Sequence, residues 1–90
     1  MEISFDPAKR DKTLLERGLD FADADSVMVG PAFTWQDTRF AYPEDRYVTV
    51  GLLNGRMVIV AWTPRGVARH VFSMRKANGR EQKKYRERLG

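Results

Sequence analysis

His70 is the single histidine in the chain. Imidazole has an ordinary pKa near neutrality, so it can take or give a proton at physiological pH. Arg46, Arg65, Arg69 and Arg75, with Lys76, stand in the same C-terminal half. Such cations clamp phosphate, and Arg is favoured for its planar fork. Glu44 is a carboxylate close to these basic segments; it could act as a base, or simply pair with Arg46 as a surface ion pair worth under about 1 kcal/mol. Tyr47 and Trp62 could stack nucleobases, as readers of single-stranded RNA do. They are equally suited to contacting a partner protein or to plain cross-strand packing, and a lone histidine on a strand can be structural. With no cysteine and one histidine, a disulfide framework and a zinc centre are disfavoured. The set suits chemistry on a phosphate backbone without a metal or other cofactor.

Charge is unevenly spread. Residues 1–45 carry ten acidic groups against five basic ones, whereas residues 46–90 carry eleven basic groups against two acidic ones. The net +4 therefore joins an acidic half to a strongly basic one. A polyanionic or acidic partner is expected at the C-terminal half. No apolar run is long enough to span a membrane, and Glu2, Asp6 and Lys9 interrupt any signal-like opening. A single, soluble, cytoplasmic domain over residues 1–90 is expected.

The elements that must position these residues are readable from pattern. Arg46–Leu53 and Arg56–Thr63 are rich in β-branched and aromatic residues and flank Asn54 and Gly55, a strong hairpin signal. A two-residue loop pairs Leu53 with Arg56, Gly51 with Val58, Thr49 with Val60 and Tyr47 with Trp62. One face then carries Val48, Val50, Leu52, Met57, Ile59 and Ala61 and reads as a core needing a cover. The other carries Tyr47, Thr49, Gly51, Leu53, Arg56, Val58, Val60 and Trp62 and reads as an open binding face. A third strand, Val67–Met74, follows a turn at Pro64, Arg65 and Gly66. A three-residue loop puts His70 on the Tyr47/Trp62 face with Arg69 and Ser73 opposite; a loop one residue longer reverses this and brings Arg69, Ser73 and Arg75 to the open face.

Upstream, Ile3–Phe5 is expected as a short strand. Asp6 and Pro7 begin a helix to Arg17 that buries Ala8, Leu14 and Leu15 and ends at Gly18. Asp20 caps a second helix over Phe21–Met28, Gly30 and Pro31 stop it, and Ala32–Trp35 forms a strand before a polar loop from Asp37 to Asp45. Asn78 and Glu81 resemble a capping box opening a last helix to about Leu89. Its only large apolar residues are Tyr85 and Leu89, a thin stripe that implies weak docking and mobility. The expected fold is α+β, with N-terminal helices packed on one face of an antiparallel sheet and a C-terminal helix.

Taken in order, Phe5-Asp6-Pro7-x-Lys9, Gly18-Leu19-Asp20-Phe21-x-x-Ala24, Glu44-x-Arg46 and Ser73-x-Arg75-Lys76-Ala77, followed by Glu81 and Tyr85, resemble the BrnT toxins over essentially the whole chain. The chain departs from the family pattern in carrying Phe5 where Trp is usual and Arg17 before Gly18 where His is common. It also has Pro43 in place of Gly before Glu44, His70 in place of Arg in the last strand, and Met74 in place of Ala. The resemblance implies a RelE-like fold and a small endoribonuclease that inhibits translation. It also implies a BrnA-like ribbon-helix-helix antitoxin, which binds operator DNA on behalf of both proteins. A metal-free ribonuclease needs a base for the ribose 2′-OH, cations for the charge developing on phosphate, and an acid for the leaving 5′-oxygen. On that footing His70, Arg75, Glu44 and Arg46 are the candidate catalytic residues, and Tyr47, Trp62, Arg65, Arg69 and Lys76 the candidate RNA contacts. Two other readings remain: a non-catalytic nucleic-acid-binding module, and a catalytically silent antitoxin partner and co-repressor.

Overall fold

The structure, a computed structural model, describes residues 2–89. The chain runs β1 (Glu2–Ser4), α1 (Pro7–Arg17), a 3-10 turn (Phe21–Asp23), α2 (Ala24–Val29), β2 (Ala32–Gln36), β3 (Tyr47–Leu53), β4 (Arg56–Arg65), β5 (Ala68–Lys76), α3 (Gly79–Tyr85) and a closing 3-10 turn (Arg86–Leu89). The five strands form one sheet in the order β1-β5-β4-β3-β2. β1 lies parallel to β5 and the other pairs are antiparallel. The sheet is therefore mixed rather than wholly antiparallel, because the first strand crosses to the far edge before the helices carry the chain back. No helix among the described residues is long and apolar enough to cross a membrane.

The β3–β4 hairpin has the register its turn dictates, Leu53 opposite Arg56 through Tyr47 opposite Trp62. Asn54 and Gly55 take φ of 52° and 78°, the positive values that a tight hairpin turn of this kind requires. The cover, however, lies on the face expected to be open. Phe21, Ala24 and Val27 pack against Val58, Val60 and Trp62, with Tyr47 at the margin. Two features make that face a core. Its polar atoms satisfy one another: Trp62 Nε1 donates to Thr49 Oγ1 at 2.9 Å, and the Thr49 and Thr34 hydroxyls lie 2.7 Å apart. Gly51, in turn, presents no Cβ, so α2 can settle directly on β3; a Cβ there would sit 2.7 Å from Val27 Cγ1 and 2.9 Å from Val27 O.

α1 begins and ends as its residues specify. Asp6 Oδ1 accepts from Ala8 N at 3.0 Å, and Gly18, at φ 69°, donates its N–H to Leu14 O. It buries none of its residues, and Leu15 is 87% exposed, contrary to the expected burial of Ala8, Leu14 and Leu15. The core beneath it is filled by Leu19 and Phe21 from the following segment. Polar ties hold α1 instead: Arg10 forks onto Asp20 at 2.9 and 2.8 Å, and Arg17 donates to Met74 O at 3.0 Å.

On the opposite sheet face, Tyr85 and Leu89 are both buried, packing with Val50, Ile59 and Ala77. Two apolar residues thus dock α3 over half of that face. The capping box forms as the sequence indicates, with Asn78 Oδ1 accepting from Glu81 N at 2.8 Å and Glu81 Oε1 from Asn78 N at 3.0 Å. The remaining half of the face is open.

Replacing Gly51 with Ala should push α2 off the sheet and destabilise the protein by about 1–3 kcal/mol, the usual cost of overpacking. Urea unfolding compared with wild type measures it, and an unchanged midpoint would mean that α2 does not depend on this approach.

Candidate functional site

The open half-face is the floor of a cleft of about 840 Å³. Val48, Ile59 and Ala61 pave it, the segment from Asp37 to Arg46 forms one wall, and α3 forms the other. A one-residue bulge in β5 shapes the floor. Ala61 pairs with Ser73 but Trp62 pairs with Val71, which leaves Phe72 as the extra residue. The bulge turns Phe72 and Ser73 both into the cleft and interrupts the two-residue alternation along the strand.

That interruption decides where the candidate residues point. Neither simple loop alternative holds: Arg69 lies on the helix-covered side, while His70, Ser73 and Arg75 share the cleft side. The Arg69 guanidinium sits 4.5 Å from the Trp62 ring centroid, and its Nη1 lies 3.1 Å from Met28 Sδ. Trp62 is 6% exposed and stacks with Tyr47 at 4.8 Å, so Trp62 presents no open surface for a base, whereas Tyr47 is half-buried and also lines the cleft. Lys76, opposite Val58, is exposed on the side away from the cleft.

Arg46 and Arg75 are brought together in the cleft. Arg46 is sandwiched between Tyr42 and Phe72, its guanidinium carbon 4.2 and 4.8 Å from the two ring centroids. Its Nε is buried without a hydrogen-bond partner, and among the described residues no carboxylate pairs with it. Two rings thus flank the guanidinium, whose buried Nε is closed to a ligand, so any ligand must meet it at its outer nitrogens, on the side that lines the cleft. Arg75 differs: it donates to both oxygens of Glu81, at 2.7 and 2.8 Å. Arg39 is likewise forked onto Asp37 at 2.9 Å to each oxygen. These partners pull both carboxyls down to a pKa of about 2, so both are ionised and weakly basic at neutral pH. Lys84 and Arg88 add positive charge along the α3 wall.

His70 lies on the same sheet face beyond the cleft, beside β1. Its Nδ1 is 2.9 Å from Ser4 Oγ. Burial, and next the charge of Arg65, lower its pKa against the opposing pull of Glu44, which favours the neutral imidazole. Glu44 pairs loosely with Arg65 at 3.7 Å, rather than with Arg46. His70, Glu44 and Arg65 thus form a second cluster at the end of β4 and β5. The sequence reading missed Arg39, Tyr42 and Phe72. Arg39 and Tyr42 sit in the proline-containing loop without periodicity, and Phe72 reaches the cleft only through the bulge.

A mixed sheet with the N-terminal helices on one face, and α3 beside a cationic, aromatic-lined cleft on the other, defines a small α+β protein. The family model for the ribonuclease toxin BrnT of type II toxin-antitoxin systems matches residues 5–81, and the chain belongs to that family. Comparison with the curated proteins gives no match. Membership makes the chain a ribonuclease toxin with an antitoxin partner and an RNA target.

The Arg75–Glu81 pair has a measurable pH signature. Glu81 has a pKa of about 2 against an ordinary 4.5. A carboxyl lowered on folding stabilises the protein above its unfolded pKa and loses that contribution as pH falls through the folded one. Glu81→Gln can keep the cap to Asn78 but not the charge. Its melting temperature should lie below wild type at neutral pH and converge with it as pH falls from about 4.5 towards 2; parallel pH profiles would show the pair to be without effect on stability.

Proposed function

We propose that the chain is a metal-independent endoribonuclease that slows translation in the cytoplasm, with RNA running along the cleft side of the sheet from His70 to Arg75. The observation that carries this reading is Arg46, a cation flanked by two rings and without a carboxylate partner among the described residues, in a cleft that contains further positive charge. Arg46 and Arg75 bind phosphate and stabilise the charge that develops when the 2′-oxygen attacks. Neutral His70 accepts the 2′-OH proton at Nε2 when its Nδ1–H donates to Ser4 Oγ. As the 2′-oxygen bonds to phosphorus the P–O5′ bond breaks, giving a 2′,3′-cyclic phosphate, and the 5′-oxygen leaves as a hydroxyl by taking a proton returned from His70 through solvent. Asp37 and Glu81 are poor bases by comparison, since arginine holds them ionised at a pKa of about 2. Glu44 and Arg65 tune His70 and steer the strand. Tyr42 and Phe72 take the aromatic role first assigned to Tyr47 and Trp62. The architecture is read as a variant of the RelE-like fold, neutralised by a BrnA-like ribbon-helix-helix antitoxin through which the toxin reaches operator DNA.

Induction in a host cell, with RNA followed on a gel, tests the assignment. Arg46→Ala and His70→Ala should each reduce cleavage about 10²-fold or more and abolish growth arrest while the protein stays folded. Arg69→Ala, on the helix side, should leave arrest in place wherever folding persists. Arrest that survives both cleft-side substitutions would move the active site elsewhere, and absence of arrest from folded wild type would favour a silent antitoxin partner.

Purified protein should also cleave RNA undiminished in excess EDTA. Loss of cleavage on chelation, restored by a divalent cation, would refute metal independence.

A further inference from the structure

The inner wall of the cleft contains two contacts that resemble the two halves of a bound nucleotide. Tyr85 stacks on Trp35 with ring centroids 5.4 Å apart and planes 20° from parallel, and it lies 6.4 Å from Phe33. A nucleobase stacks on an aromatic side chain in the same manner. One turn earlier on α3, Glu81 places both carboxylate oxygens on the Arg75 fork, the bidentate geometry in which arginine also takes phosphate. An aromatic ring and an anion are thus presented together, from one short helix, to a shelf formed by Phe33, Trp35 and Arg75. We infer that α3 is an intramolecular substitute for a nucleotide, Tyr85 standing for the base and Glu81 for the phosphate, and that it covers a second RNA-binding shelf which single-stranded RNA gains by displacing these contacts. This inference rests on the cleft being the RNA site and concerns how that site is regulated.

Several properties of α3 suit it to this role. It is seven residues long and, with the closing turn, reaches the sheet through only Tyr85 and Leu89 as buried side chains. Lys84 and Arg88 flank the shelf, so positive charge would remain beside an incoming strand after Glu81 is displaced. Arg88 already lies over Phe33, 4.4 Å from its centroid. Glu81 is 21% exposed at its side chain and Arg75 45%, so an entering phosphate can reach the pair from solvent. Competition with phosphate, rather than mild acidification, is the event that opens it.

The test uses the full chain and a single-stranded 2′-O-methyl oligoribonucleotide, which lacks the 2′-OH needed for cleavage and so reports binding alone. Glu81→Gln removes the anion while retaining an acceptor for Asn78 N–H; circular dichroism confirms folding. Glu87→Gln, which makes the same charge change on an exposed residue of the closing turn, is the control. Glu81→Gln should bind about fivefold more tightly than Glu87→Gln, as expected when one partly exposed ion pair is released. The gain should vanish when Arg75→Ala is added. Equal or weaker binding by Glu81→Gln overturns the substitution by α3 while leaving the cleft as an RNA site. A gain that persists without Arg75 overturns it also, since Glu81 would then repel RNA without occupying the fork. Absence of binding by every variant and by wild type would remove the RNA reading of the cleft itself, and this inference with it.

Discussion

The missing Cβ at Gly51 governs which side of the sheet becomes core. Strand β3 is apolar enough on either face to accept a cover, but only the Gly51 face lets a helix backbone approach, since the position of a Cβ there is filled by Val27. Once α2 is seated, Phe21, Ala24 and Val27 meet Val58, Val60 and Trp62, and the opposite face is left for α3 and the cleft. Thr49 and Trp62 follow from the same choice. Their polar atoms must be satisfied without water, and they do so by bonding each other.

The second constraint is the bulge at Phe72. A regular β5 would have kept strict alternation, with His70 and Ser73 on opposite faces. One added residue puts both on the cleft side and Arg69 beneath the helices. The bulge also supplies the ring under Arg46. A guanidinium between two rings recovers part of its lost hydration as cation–π attraction, so Arg46 can stay partly buried without a carboxylate. Its fork is then held in place by rings that compete with no ligand for its donors.

Much of the fold was legible. The Asn54–Gly55 turn dictated a register that the hairpin adopts, and Asp6, Gly18, Asp20, Asn78 and Glu81 marked helix ends because caps are local chemistry. What pattern could not reach was long-range choice. A face bearing glycine, threonine and tryptophan looks open when each residue is judged alone, yet it is a good core when its polar atoms can pair with one another. The parallel placement of β1 beside β5 depends on a crossover rather than on any property of Ile3 or Ser4. For the site, Arg46, Arg75 and His70 were visible as cations and a titratable ring. Phe72 was not, because a bulge leaves no mark in alternation until its partner strand is known.

The charge asymmetry takes on a more specific meaning in this architecture. A basic half could have produced a cleft of bare arginines, but two of the four arginines lining it carry internal carboxylate partners, Asp37 for Arg39 and Glu81 for Arg75. Both carboxylates keep a pKa of about 2, so this neutralisation persists at any physiological pH. Attraction over distance then falls to Arg46, Lys84 and Arg88, while Arg39 and Arg75 can be engaged only by an anion close enough and suitably shaped to compete with a bidentate carboxylate. A diffuse polyanion gains little from such paired cations, because a forked partner already satisfies their directional donors. A strand lying along the cleft floor, with a phosphate in contact, gains more. Partial neutralisation therefore makes the site discriminate by geometry rather than by charge alone.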